Sequence, residues 1–232
     1  MMKKIDRRKR FRLMVDVETV GVGEKAIFDI GFAVFTKKGE IVEERSYLIK
    51  EVFEDYERMK KAYYFKKYPE YVAGLATGEF TLVPWVEAMK DMMFLIKEYN
   101  VQEVLAYNLQ FDLGAIEYTN QELRGKRFGL FDDMKKTCVW GLAVETICQQ
   151  KSFSRYCQKH GLMTESGKFY KSSAEAVYSY MVNNPEFVEK HMGLADVKIE
   201  VAIYARIARQ HKKVSGGIVG SPYRKVAIKE MI

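Results

Sequence analysis

The sequence contains little cysteine and proline and lacks a long apolar run. Its 232 residues include three cysteines and four prolines. An odd number of cysteines without a Cys-x-x-Cys pair argues against a disulfide framework or a zinc site, and it indicates reduced thiols in a cytoplasmic protein. No stretch of about 18 apolar residues is present, which argues against a membrane span. The basic start leads directly to two acidic residues, so we expect no secretory signal.

Charge is distributed unevenly along the chain. The formal net charge is +7, and 48% of the residues are hydrophobic, which indicates a soluble globular protein. Residues 1–12 contribute +6 and residues 209–232 contribute +5, which leaves −4 for the body between them. Basic ends attract polyanions, most commonly nucleic acid, although such ends are also often only solubilising. We expect a basic N-terminal arm at residues 1–10, one domain at residues 11–210 and a basic, flexible tail at residues 211–232.

Hydrophobic patterning predicts an α/β fold. Short apolar runs predict strands at residues 11–17, 26–36, 40–49, 104–107 and 128–131. Helical spacing of apolar side chains predicts helices at residues 55–71, 83–98 and 195–209. Three strands followed mainly by helices indicate a central mixed β-sheet of about five strands flanked by α-helices.

Two acidic residues end the first predicted strand. Asp16 and Glu18 are two residues apart, so on a β-strand their carboxylates project from the same face. Adjacent carboxylates repel each other unless a cation lies between them, and oxygen ligands suit Mg²⁺ or Mn²⁺. The pattern therefore indicates half of a divalent-metal site, and a solvated strand end is the alternative.

Two later stretches contain candidate partners for this acidic pair. Asp112 falls in the first turn of a helix that follows a predicted strand, where the helix dipole favours an acid and where α/β sheets place ligand groups. His191 and Asp196 are five residues apart, which on one helix is about 140° around the axis. They can converge only if His191 lies on a loop before the helix, and Gly193 permits such a loop.

These stretches resemble the three motifs of the DEDDh, or DnaQ-like, 3′-to-5′ exonuclease superfamily. That superfamily includes proofreading subunits of bacterial replicative polymerases, ribonuclease T and oligoribonuclease. The matching segments are VDVET, AYNLQFDLGAI and HMGLAD, and the third has the family's spacing of His, four residues and Asp. The resemblance extends over residues 11–208 and implies a ribonuclease-H-like fold.

The resemblance also implies a mechanism. The cofactors are two divalent cations, Mg²⁺ or Mn²⁺, which activate a water and stabilise the leaving 3′ oxygen. His191 is the general base that takes a proton from the attacking water. The ligands of the two cations are Asp16, Glu18, Asp112 and Asp196.

The implied substrate is the 3′ end of single-stranded DNA or RNA, with DNA slightly favoured. Thr19 is expected to contact the terminal nucleotide through its backbone, and Asn108 and Phe111 are expected to line the entrance. An N-cap or core role explains Asn108 and Phe111 equally well. A polymerase or a second copy of the chain is the expected protein partner, and no membrane contact is expected.

Two features depart from the family pattern. The first motif has Thr19-Val20-Gly21 where many relatives have two threonines, which weakens assignment to the proofreading branch. The segment between the third strand and Trp85 carries a basic and aromatic run that does not align. Two alternatives to an exonuclease remain: a catalytically silent nucleic-acid-binding or scaffold module of the same fold, and a structure-specific endonuclease.

Overall fold

A six-stranded mixed sheet forms the centre of the protein in the computed structural model, which describes residues 10–214 and 222–228. The strands are β1 Phe11–Thr19, β2 Ile27–Thr36, β3 Ile41–Ile49, β4 Thr81–Val83, β5 Glu103–Ala106 and β6 Lys135–Cys138. Their order in the sheet is β4-β3-β2-β1-β5-β6. The predicted α/β class with a mixed sheet is confirmed, and the short β4 is an additional strand.

β2 runs antiparallel to the other five strands of the sheet. β1, β2 and β3 form an antiparallel meander, whereas β5 runs parallel to β1 and β6 parallel to β5. The β2–β3 connection is a hairpin turn, in which Gly39 has a φ of 86° that suits glycine. β1 is thus a central strand, and its carboxyl end lies beside that of β5.

Helices cover both faces of the sheet. Their bounds are α1 Lys50–Phe53, α2 Tyr56–Met59, α3 Tyr68–Thr77, α4 Trp85–Glu98, α5 Leu109–Arg124, α6 Val139–Thr146, α7 Lys151–His160, α8 Ala174–Val182 and α9 Gly193–Ala208. Apolar side chains of α4 and α5, such as Met92 and Ile116, belong to one core cluster. Those of α6 to α9, such as Leu142 and Val197, belong to a second cluster. The sheet therefore separates two cores.

Side chains alternate between the two faces of β1, and this places its acids on the face that α9 covers. Leu13, Val15 and Val17 belong to the cluster under α4 and α5, whereas Met14 belongs to the cluster under α6 to α9. Side chains two apart on a strand share a face, so Asp16 and Glu18 follow Met14. Because α9 packs against both β1 and β2, its side chains can meet these acids.

Two predicted elements are wrong. The predicted helix at residues 55–71 is instead α2, a 3₁₀ helix at Phe65–Lys67 and the start of α3, with Pro69 in the first turn of α3. Proline is tolerated there because first-turn N–H groups have no intrahelical partner. Residues 128–131 are not a strand, and the strand of this region is β6, whose polar start hid it from an apolar pattern.

Parts of both predicted ends lie outside the described residues, namely 1–9, 215–221 and 229–232. Within the tail, Pro222–Val226 forms a 3₁₀ helix that packs against α6. The backbone N–H of Tyr170 donates to the Val226 carbonyl at 3.2 Å. Among the described residues, we find no helix with the length and apolar character needed to cross a membrane.

Candidate active site

The end of β1 carries the two acids that the sequence singled out. Glu18 is buried, and Asp16 is partly buried and lines a cavity of about 620 Å³. β1 has a register irregularity between Glu18 and Thr19, where the pairing with β2 shifts. Such irregularities re-aim side chains at strand ends. Both carboxylates therefore lie near the carboxyl end of the central strand β1.

The third acid, Asp112, reaches the same place from α5. β5 ends at Ala106, and α5 begins three residues later, so the first turn of α5 lies beside the end of β1. The Asp112 side chain is 3% exposed, and its carboxylate accepts a hydrogen bond from the backbone N–H of Val17. This bond joins the second motif directly to the first.

The fourth acid, Asp196, lies in the first turn of α9. Its Oδ2 accepts a hydrogen bond from the backbone N–H of Met192 at 3.1 Å, which fixes the side chain. Its Oδ1 is buried and has no hydrogen-bond partner among residues 10–214 and 222–228. A buried carboxylate oxygen without a donor is costly unless a cation approaches it.

His191 lies on the loop before α9, as the sequence predicted. Its backbone has a φ of 48°, and the ring stacks on Tyr64 with centroids 4.5 Å apart and planes at 16°. Glu18, His191 and Asp196 each offer a ligand atom, and these atoms lie within 4.8 Å of one another. The first and third motifs therefore meet in space, although about 170 residues separate them in sequence.

Asp29, which sequence reasoning missed, anchors the start of α9. It lies opposite Glu18 on β2 and is fully buried. Its Oδ2 accepts hydrogen bonds from the Tyr71 hydroxyl and from the backbone N–H of Gly193, each at 2.9 Å. Burial raises the pKa of Asp29 to about 6, and these two bonds oppose the rise. Only the acidic side chain within an apolar strand hinted at this role.

Glu200 is a second missed acid. It follows Asp196 by one turn of α9, is 2% exposed and lines the same cavity as Asp16 and Asp112. The backbone N–H of Tyr107 donates to its carboxylate, while Oε2 has no partner within the described parts of the chain. The four-residue spacing from Asp196 was the available signal, because residues i and i+4 share a helix face.

The acids strongly disfavour one another's charge. Burial raises the pKa of Asp112 to about 8 and that of Asp196 to about 8. Burial, followed by repulsion from Glu200 and Asp112, also raises the pKa of Asp16 well above its ordinary value. A cluster of buried carboxylates of this kind is stabilised by a divalent cation, which supplies the missing positive charge.

The pKa of His191 is lowered, whereas the pKa values of the acids are raised. Burial and the neighbouring Lys67 ammonium lower the pKa of His191 from its ordinary value. The neutral imidazole, which can accept a proton, is therefore favoured at neutral pH. The Lys67 side chain also donates to the carbonyl of Lys190, so this cation is held next to the histidine loop.

The three expected substrate contacts lie around the acids. Asn108 and Phe111 line the large cavity, and Thr19 and Phe111 line an adjoining cavity of about 360 Å³. Asn108 is exposed, and although it occupies the N-cap position of α5 its side chain makes no capping hydrogen bond. Its polar side chain is therefore directed to solvent or ligand instead of to the helix end.

No protein-family model matches the chain, and a search of curated proteins finds no match. The chemistry of the site is what indicates a function. Its donor set consists of carboxylates and one imidazole, which suits hard divalent cations such as Mg²⁺ and Mn²⁺. The unpartnered buried oxygens of Asp196 and Glu200 fit such a cation.

Proposed function

We propose that the protein is a metal-dependent 3′-to-5′ exonuclease of the DEDDh type with a ribonuclease-H-like fold. The observation that carries the proposal is the convergence of Glu18, His191 and Asp196 within 4.8 Å, beside the buried Asp112, at the end of the central strand. The antiparallel meander followed by two strands parallel to β1 supports the fold assignment. The free, buried cysteines fit a reducing cytoplasmic compartment.

The carboxylates are the groups that would hold two divalent cations, and these ions supply Lewis-acid activation of water and of the leaving oxygen. Asp16 would be one of these ligands, because it lines the same cavity as Asp112 of α5 and Asp196 of α9. The carboxylates are preorganised by backbone donors, since Val17 binds Asp112 and Met192 binds Asp196. Glu200 adds a further oxygen on the α9 side.

His191 is the proton acceptor of the proposed reaction. A general base must be unprotonated before the reaction and must lie within reach of the attacking water. The lowered pKa of His191 meets the first condition, and the second is supported by its ring nitrogen, which lies within 4.8 Å of carboxylate oxygens of Glu18 and Asp196. Stacking on Tyr64 fixes the plane of the imidazole.

The substrate of the proposal is the 3′ end of single-stranded nucleic acid, with DNA slightly favoured over RNA. The two adjoining cavities share Glu18, Phe111 and His191 and are lined by further aromatic side chains, which supports a single strand whose bases can stack. Repair or replication is the process that such an activity serves, with a polymerase or a second copy of the chain as partner.

The direct test is hydrolysis of matched 5′-labelled DNA and RNA 20-mers with Mg²⁺, with Mn²⁺ and with EDTA. We expect a ladder of products that shorten one nucleotide at a time from the 3′ end, and no products in EDTA. A 3′-phosphate on the same strand should block the ladder. Binding without any product would instead indicate a silent module, and cleavage of a closed circular strand would indicate an endonuclease.

A further inference from the structure

The large cavity extends well beyond the acids to a wall of aromatic rings. Besides the acids, the cavity is lined by Tyr107, Trp140, Tyr170 and Tyr223, and by the exposed Lys171. Neither the acidic motifs nor the proposed hydrolysis makes use of these side chains. Trp140 and Tyr223 are both only partly buried, so each presents ring surface to the cavity.

Three of these rings, those of Tyr107, Trp140 and Tyr223, are nearly parallel. Tyr107 and Trp140 have centroids 6.4 Å apart and planes at 18°, and Trp140 and Tyr223 have centroids 6.4 Å apart and planes at 23°. The indole N–H of Trp140 donates to Ser172 Oγ at 2.9 Å, which satisfies its polar edge. The orientation of the indole is thus fixed, and its remaining surface is apolar and flat.

Contacts made by residues 222–228 hold Tyr223 beside these aromatic rings. Lys225 Nζ lies 2.6 Å from Glu145 Oε1, and the Ile228 N–H donates to the Lys168 carbonyl at 2.9 Å. The Tyr223 ring also meets Phe169 edge to face at 5.4 Å. Residues more than 200 positions after β1 therefore complete the cleft that begins at the β1 acids.

Glu18 lies where the large cavity meets the smaller one, and Asp16, Asp112 and Asp196 line the large cavity beside it. Glu18, Phe111 and His191 line both cavities. Cleavage of the last phosphodiester requires one nucleotide on one side of the acids and the rest of the strand on the other. The smaller cavity, about 360 Å³ with Thr19 at its wall, has room for one nucleotide, and the larger, about 620 Å³, can take the continuing strand.

We propose that Trp140 and Tyr223 form a stacking subsite for a nucleobase of the uncleaved strand, and that Lys171 contacts a neighbouring phosphate. This inference rests on the proposed nuclease function, and it assigns the direction of the strand: the 3′-terminal nucleotide lies in the smaller cavity, and the second or third base from the end lies on the aromatic wall. Stacking accepts every base, so the subsite confers affinity for single strands without sequence preference.

Tryptophan fluorescence gives a readout that is independent of hydrolysis. Trp85 and Trp140 are the two tryptophans of the chain, and Trp85 is fully buried in the core on the opposite side of the sheet. In the full chain carrying Asp16→Asn, titration with oligothymidine of eight nucleotides should quench the emission. The same titration of Asp16→Asn/Trp140→Phe should leave the emission unchanged. Equal quenching in both proteins would overturn the subsite.

Tyr223→Leu separates stacking from folding, because the residue lies on a surface segment. We expect it to weaken binding of the eight-nucleotide strand about tenfold and to raise KM for that strand, with kcat and the KM for a dinucleotide unchanged. An abasic position, third from the 3′ end, should weaken wild-type binding but not binding by Tyr223→Leu. The control is Tyr118→Leu, an exposed tyrosine on α5 outside both cavities, which should bind as the wild type does.

The failures of the two proposals are distinguishable. Stepwise hydrolysis with wild-type KM in Tyr223→Leu overturns the subsite and leaves the exonuclease standing. Quenching that depends on Trp140, in a wild-type protein that produces no shortened strands with either metal, overturns the exonuclease and leaves a single-strand binding subsite.

Discussion

Gly31 of β2 and Gly193 of α9 are in backbone contact, and a Cβ atom on Gly31 would lie 2.1 Å from the Gly193 carbonyl carbon. A Cβ on Gly193 would in turn lie 2.5 Å from the Gly31 nitrogen. Helix α9 therefore begins directly on the sheet, and this brings Asp196 to the acids of β1. Glycine at both positions is a condition for assembling the site.

Gly31→Ala should damage stability and the site together. The added methyl group meets backbone atoms that cannot rotate away, so we expect a loss of about 3 kcal/mol or more in the free energy of unfolding. Denaturant unfolding measures this loss. Gly23→Ala is the control, since a Cβ there meets nothing within 4 Å and should leave stability unchanged. Wild-type stability in Gly31→Ala would contradict the backbone contact.

Asp112→Asn should stabilise the metal-free protein in alkaline solution. Burial raises the pKa of Asp112 from 3.8 to about 8. The stability that its protonated form contributes is complete below pH 3.8 and is lost as the pH rises through about 8. Asparagine does not ionise, so in EDTA the variant should melt a few degrees above the wild type at about pH 9 and close to it at about pH 5. Asp133→Asn, an exposed loop acid, should show no difference at either pH.

Glu200→Gln should weaken binding of Mn²⁺. Its unpartnered oxygen lies beside the cavity with Asp16 and Asp112, and removing a carboxylate near a metal typically costs tenfold or more in affinity. Titration calorimetry or the loss of the free Mn²⁺ resonance signal measures the affinity directly. Glu175→Gln, at the same cavity, is the matched control. Unchanged Mn²⁺ affinity in Glu200→Gln would restrict Glu200 to a structural role.

His191→Ala distinguishes a base from a ligand. As a general base, His191 should contribute about 10²–10⁴-fold to kcat, and its loss should leave Mn²⁺ affinity near that of the wild type. As a ligand, its loss should weaken Mn²⁺ binding together with kcat, because His191 and Asp196 offer atoms to the same position. We expect the first result. His160→Ala, on the surface end of α7, should behave as the wild type does.

Local sequence was sufficient to predict the strands, helices and loop on which the motif residues lie. The period of two in β1 placed Asp16 and Glu18 on one face, and the β5–α5 junction placed Asp112. The five-residue interval between His191 and Asp196 required a loop before α9, and the positive φ of His191 is part of that loop. Each of these inferences depends on residues within one element and its neighbour.

Long-range packing determined what the sequence did not reveal. Asp29 is explained only when Tyr71 and Gly193, from two other elements, both donate to it. Tyr223 becomes part of the cleft only because the tail returns to α6. The apolar pattern predicts one helix at residues 55–71, whereas the structure has α3 starting at Tyr68 with Pro69 in its first turn. Contacts of this kind have no periodicity along the chain.

Asp16→Asn separates a working nuclease site from an inactive one with a single substitution. The substitution keeps the shape of the side chain and removes one of the carboxylates that would hold the divalent cations. On a 5′-labelled single strand with Mn²⁺, the wild type and the Asp133→Asn control should produce a ladder of stepwise shorter products, and Asp16→Asn should leave the strand intact. An undiminished ladder from pure, folded Asp16→Asn would contradict the account.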